Sequence, residues 1–93
     1  MPELSVILPI FNEADNIEPL FAELVPAMEA TGRSFEIIAV DDGSQDNSFA
    51  LLAQVHQRDA RVRVVRLRRN FGQTAAFAAG FDRAAGQIVI TMD

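Results

Sequence analysis

Asp41 and Asp42 stand side by side, followed at once by Gly43-Ser44, at the end of the apolar run Phe35 to Val40. Neighbouring carboxylates repel unless donors or positive charge lie close. The ring N–H groups and ribose hydroxyls of a nucleotide are donors of that kind. Three more polar segments hold the same place after an apolar run. Pro9-Ile10-Phe11-Asn12-Glu13 follows Leu4 to Leu8, Arg68-Arg69-Asn70-Phe71-Gly72 follows Val62 to Leu67, and Asp93 follows Gln87 to Met92. A carboxylate in the last position suits a hard divalent cation, which takes oxygen ligands. Each segment also has an ordinary structural role: Asp-Asp-Gly-Ser as a tight turn and cap, Glu13 as a capping residue, Asn70 and Gly72 as a turn, Asp93 as a solvated charge. His56 reads as a solvent-facing helix residue, and no catalytic residue is assigned.

The elements that must position these groups follow from periodicity. The runs at residues 4–8, 35–40, 62–67 and 87–92 read as four strands. Between the first two, Ile17, Leu20, Phe21, Leu24, Val25 and Met28 recur at helical spacing. Asn12 or Asp15 can cap that helix, Pro26 predicts a kink or break near Val25, and Thr31-Gly32 ends it. Asp46 can cap a second helix carrying Phe49, Leu52 and Val55, and Gln73 to Ala85 predicts a third, with Phe77 and Phe81 one turn apart. Gly80 lowers that helix's stability by roughly 1 kcal/mol relative to alanine, and marks a close-packing position. Alternation in the third strand places Arg61 and Arg63 on one face. The order is β-α-β-α-β-α-β: an α/β, Rossmann-like parallel sheet covered on both faces, forming one domain over residues 1–93. Right-handed crossovers bring the strand C-termini to one edge, where such sheets bind ligands.

Composition narrows the ligand. The 93 residues carry a net charge of −5, which disfavours nucleic acid. All basic residues are arginines, five of them between Arg61 and Arg69, so acidic groups opposite a local arginine cluster suit a metal-bridged phosphate ligand. Without cysteine, and with His56 the only histidine, thiolate and histidine-cluster metal sites are excluded. A chain without lysine has no Walker A loop and no phosphoacceptor receiver site; with no glycine before Gly32 it has no G-x-G-x-x-G turn after the first strand. No apolar run is long enough to span a bilayer.

Pro9-Ile10-Phe11-Asn12-Glu13, Val40-Asp41-Asp42-Gly43-Ser44-Gln45-Asp46, Arg69-Asn70-Phe71-Gly72-Gln73 and Ile90-Thr91-Met92-Asp93 together resemble the family 2 glycosyltransferases. The resemblance is strongest to the polyprenyl-phosphate branch, which includes dolichol-phosphate mannosyltransferases and bacterial undecaprenyl-phosphate sugar transferases. It implies the nucleotide-sugar half of a GT-A fold. Pro9, Phe11, Glu13, Val40 and Asp42 would line the pocket for base and ribose, supported by Asp41, with Asn70 and Gly72 beside them. Asp93 would match the first aspartate of the family's D-x-D motif, holding Mg²⁺ or Mn²⁺ on the donor diphosphate.

The resemblance further implies an inverting, metal-dependent transfer from a GDP- or UDP-linked sugar to a polyprenyl phosphate, at the cytoplasmic face of the membrane. The chain itself is expected to be a soluble N-terminal piece of a longer enzyme, inactive alone and self-associating through an uncovered sheet edge. The alternatives are a family 2 transferase acting on a saccharide or protein hydroxyl, a non-catalytic nucleotide-binding or interaction module, and a parallel α/β domain with no ligand.

Overall fold

A computed structural model describes residues 1–92. The β-rich apolar runs form β1 (Leu4–Ile10), β2 (Phe35–Asp41), β3 (Val62–Arg66) and β4 (Ile88–Thr91), and the amphipathic segments form α1 (Ala14–Glu29), α2 (Ser48–Arg58) and α3 (Gln73–Arg83). All pairings are parallel, in the order β3-β2-β1-β4. The chain steps outward from β1 through β2 to β3, then crosses back to lay β4 on the other side of β1. The strand order therefore reverses at β1, the crevice position where open parallel sheets take ligands.

The period of two in the strands sorts side chains into two cores. Val6, Leu8, Ile10, Ile37 and Ala39 pack against Ile17, Phe21, Leu24 and Met28 of α1 and Leu52 and Val55 of α2. On the opposite face Ile7, Ile38 and Val40 pack with Ala76 of α3. Gly80 is a close-packing position as expected, since a Cβ there would overlap the side chain of Ile7.

Several local expectations are revised. α1 runs unbroken through Pro19 and Pro26. Both prolines are exposed while buried Leu24 and Met28 bracket Pro26, so burial of the stripe holds the helix across it. Neither Asn12 nor Asp15 caps α1; its cap residue is Glu13, with no side-chain cap bond. β1 continues through Pro9 to Ile10. Ile88 N–H donates to Glu3 O and Met92 N–H to Ile7 O, so odd-numbered residues of β1 turn towards β4, and Pro9 falls past the last β4 register pair at Thr91. Its missing N–H therefore interrupts no rung of the ladder with β2. α3 ends at Arg83, short of Ala85. Arg61 and Arg63 do not share a face: Arg61 binds Glu29 at the end of α1 and lies over Phe35, whereas Arg63 binds Glu36 and the carbonyl of Arg83.

Candidate functional site

The carboxyl edge is built from the loops after β1, β2 and β3, and each loop is fixed by another. After β2, Asp46 serves two helices. Its Oδ1 accepts the Ser48 N–H (2.9 Å) and hydroxyl (2.6 Å), and its Oδ2 accepts the Ala14 N–H at the start of α1 (3.2 Å). The Ser48 hydroxyl holds its carboxylate below the usual aspartate range. Ser48 Oγ in turn accepts the Glu13 N–H (3.0 Å). Asn12, at a left-handed φ of 51° that asparagine tolerates, accepts the Gln45 N–H through Oδ1 (2.8 Å) and donates its own N–H to Ser44 Oγ (2.9 Å). The loop after β2 and the first residue of α2 thus accept the successive N–H groups of Asn12, Glu13 and Ala14 that lead into α1.

The two aspartates resolve their repulsion by facing different donors. Asp42 Oδ1 accepts the Phe71 N–H (2.8 Å), and its Oδ2 accepts the Gly72 N–H (3.0 Å) and Asn70 Nδ2 (2.9 Å). The loop after β3 is therefore wrapped on one carboxylate. Gly43 makes this approach feasible: it has φ 72°, and a Cβ there would overlap the backbone of Arg69 and Asn70. Asp41 is 0% exposed. Its Oδ1 accepts the Ser44 N–H (3.1 Å), while Oδ2 has no hydrogen-bond partner among the described residues and lies 3.9 Å from Arg66 Nε.

Above this framework lies a cavity of about 380 Å³ lined by Pro9, Ile10, Phe11, Glu13, Asp42, Asn70, Gly72 and Gln73. Six of the residues singled out in the sequence converge on it: Pro9, Phe11, Glu13, Asp42, Asn70 and Gly72. Val40 does not line it, being buried against α3, and Asp41 lies beneath as a turn-former. Asp93 lies outside the described residues. Ile10 and Gln73 were missed; their signal was position alone, as the last residue of β1 and the first of α3. The arginines do not form one cluster. Arg61, Arg63 and Arg66 each engage separate carboxylates, and Arg69 lies over Phe71. Among the described residues no group of three or more acidic, histidine or cysteine side chains could hold a metal ion. Asp42 is committed to its three donors, and Glu13 Oε2 accepts Asn16 Nδ2 (2.6 Å).

The model of glycosyl transferase family 2 matches residues 5–93. The chain belongs to this family. Among curated relatives, an uncharacterized glycosyltransferase of Synechocystis is 42% identical over 98% of this chain and 29% of its own length. Undecaprenyl-phosphate 4-deoxy-4-formamido-L-arabinose transferases are similar too: that of Edwardsiella ictaluri is 42% identical over 97% of this chain and 28% of its own, and that of Pseudomonas paraeruginosa 44% over 97% and 27%. The chain thus spans under a third of the length of these relatives. Among solved structures, a Pyrobaculum calidifontis mannosyltransferase in complex with GDP-Man and Mn²⁺ shares the fold, with a TM-score of 0.78 at 23% identity, over 95% of this chain and 26% of that one. S. aureus TarS in complex with UDP superposes with a TM-score of 0.79 at 26% identity, over 98% and 27%. The β-α-β-α-β-α-β sheet matches the N-terminal part of GT-A structures. Among the described residues no helix is long and apolar enough to cross a membrane.

Proposed function

We propose that this chain is the nucleotide-sugar-binding part of a transferase that passes a sugar to a polyprenyl phosphate. The observation that carries this reading is the convergence of Pro9, Phe11, Glu13, Asp42, Asn70 and Gly72 on one cavity at the carboxyl edge, in a family member similar to undecaprenyl-phosphate sugar transferases. Phe11 offers an apolar wall and Glu13 a carboxylate for ribose hydroxyls. Asp42 presents the cavity with a carboxylate already fixed in place, so no reorganisation accompanies binding.

In the reaction, a phosphate oxygen of the lipid acceptor attacks the anomeric carbon as the bond to the nucleoside diphosphate breaks, with inversion. The acceptor is anionic at neutral pH, so the attacking oxygen has no proton to lose and a strong general base is dispensable. A Mg²⁺ or Mn²⁺ ion, when bound, would neutralise charge on the departing diphosphate, and Asp93 is the residue we assign to it. The described residues do not by themselves form a metal site, and no step is routed through one. The acceptor's lipid character puts the work of the whole enzyme at a membrane surface, with the cytoplasmic face as the proposed side.

Calorimetric titration with UDP and with GDP, each with and without Mn²⁺, tests the reading. Saturable binding of one nucleotide, weakened at least about tenfold by Phe11→Ala and by Asp42→Ala, is expected. No binding of either under any condition would overturn it.

A further inference from the structure

β4 is the weakest member of the sheet. It pairs only with β1, over the four register pairs Leu4↔Ile88 to Ile7↔Thr91. Ile88, Val89 and Ile90 remain 50%, 38% and 38% exposed. The strand is also apolar on both faces. A one-residue slip ordinarily moves apolar side chains to solvent and is resisted for that reason; in Ile88-Val89-Ile90 the slip exchanges one aliphatic side chain for another. The hydrophobic pattern does not choose its register.

A buried polar cluster at the opposite edge does. Glu36 of β2 is buried, and its carboxylate gathers donors from three directions. Oε2 accepts the Ser5 hydroxyl of β1 (2.6 Å) and the Ala85 N–H (2.7 Å), and Oε1 accepts Arg63 Nη1 of β3 (2.7 Å). Arg63 Nη1 also donates to the carbonyl of Arg83 (3.1 Å), and Ser5 Oγ accepts the Gly86 N–H (2.8 Å). Three backbone groups at the entrance to β4, those of Arg83, Ala85 and Gly86, are thereby bound to the starts of the other three strands. Gly86 completes the fit: a Cβ there would lie 2.6 Å from Ser5 Oγ and 2.8 Å from the carbonyl carbon of Leu4.

We propose that Glu36 is a positioning residue that sets the register of β4 and, through it, the placement of Met92 beside the candidate site about 20 Å up the sheet, at roughly 3.3 Å per residue. The link to the site is direct in the chain. Met92 N–H donates to Ile7 O (3.0 Å), and Met92 shares an apolar hollow of about 240 Å³ with Pro9, Ile10 and Glu13, which also line the cavity. The consequence for ligand binding rests on the proposed function; the register claim does not.

Amide hydrogen exchange on the 93-residue chain tests the register claim. In Glu36→Ala, the Ile88 and Met92 amides, which bond to Glu3 O and Ile7 O, should exchange at least about tenfold faster relative to the Ile37 and Asp42 amides between β1, β2 and β3. Glu36→Gln, which keeps an acceptor for Ala85, should restore part of the protection. If Glu36→Ala fails to fold, Ser5→Ala carries the test. It removes only the Gly86 acceptor and one donor to Glu36, and should loosen Ile88 while leaving Ile37 protected. Equal acceleration in all four strands, or unchanged protection of β4, would overturn the proposal. UDP and GDP titrations of the same variants separate the two readings. Weakened binding in Glu36→Ala supports the link to the site, and undiminished binding despite a loosened β4 overturns that link. Absence of binding by the unsubstituted chain counts against the functional reading, while the exchange pattern still decides the register claim.

Discussion

Replacing Asp42 with alanine removes the acceptor of three hydrogen bonds that hold residues 70–72. Bonds to a charged group contribute about 1.5–3 kcal/mol when buried. This loop is half open to water, so about 1 kcal/mol each, or about 3 kcal/mol in all, is a fair figure. Since 1.4 kcal/mol is a factor of ten, the ordered loop loses roughly a hundredfold in population relative to disordered alternatives. If nucleotide binding requires the ordered loop, affinity falls in proportion to the competent fraction, giving an expected loss between about tenfold and a hundredfold. Calorimetry measures that loss, and exchange of the Phe71 and Gly72 amides in the free protein measures the loop. Asn70→Ala removes one of the three bonds and should cost about fivefold. Because the two residues act through one contact, the double variant should be little worse than Asp42→Ala alone. Phe71 and Gly72 amides as protected in Asp42→Ala as in the parent, or losses that add in the double variant, would refute the reasoning.

Gly43→Ala should lower stability by about 3 kcal/mol or more, from about 1–2 kcal/mol for a left-handed backbone plus overlap with Arg69 and Asn70, whereas Gly32→Ala, at φ 71° with open space around it, carries the first contribution alone; comparable thermal midpoints for the two would contradict this. Burial alone would raise the Glu36 carboxyl, but the Ser5 hydroxyl, the Ala85 N–H and Arg63 outweigh it and hold it below the ordinary glutamate value. A depressed folded-state value means stability that is present above the unfolded value and lost as pH falls through the folded one. The urea-unfolding gap between the parent and Glu36→Gln should therefore be full at pH 7 and narrow progressively as pH falls below the ordinary glutamate value of about 4.3; a gap that does not narrow at all on acidification would exclude the charge as its source. The open edge of β4, with Ile88, Val89 and Ile90 exposed, should make the chain associate with rising concentration in sedimentation, and Val89→Lys should return it to a monomer; a monomeric parent at millimolar concentration would count against this.

The sheet and its helices were legible because strand and helix periods differ and each segment keeps one of them throughout. The candidate site was legible as a set of loop segments, since an α/β sheet sends every strand C-terminus to one edge. What escaped was side-chain direction. Asp42 reads as a free acceptor in the letters, yet its donors are Asn70, Phe71 and Gly72, 28 to 30 residues away. Pro26 reads as a breaker because proline's local penalty is visible, whereas the buried stripe that overrides it is a tertiary fact. Arg61 and Arg63 read as one face because alternation was extended past the start of β3 at Val62. Glu36, polar in an otherwise apolar run, was passed over; a charge there is the sign of a buried partner set.

The place of β1 in the sheet has a consequence for synthesis. β1 is made before the other described strands and ends up with neighbours on both sides, yet its second neighbour, at residues 88–91, is encoded only after β2 and β3. At about 5–20 residues per second, the interval between completing β3 and completing β4 is roughly one to five seconds. Throughout it the nascent chain displays a bare flank of β1, which the finished sheet covers with β4. A passing chain with a free strand of its own finds a template there.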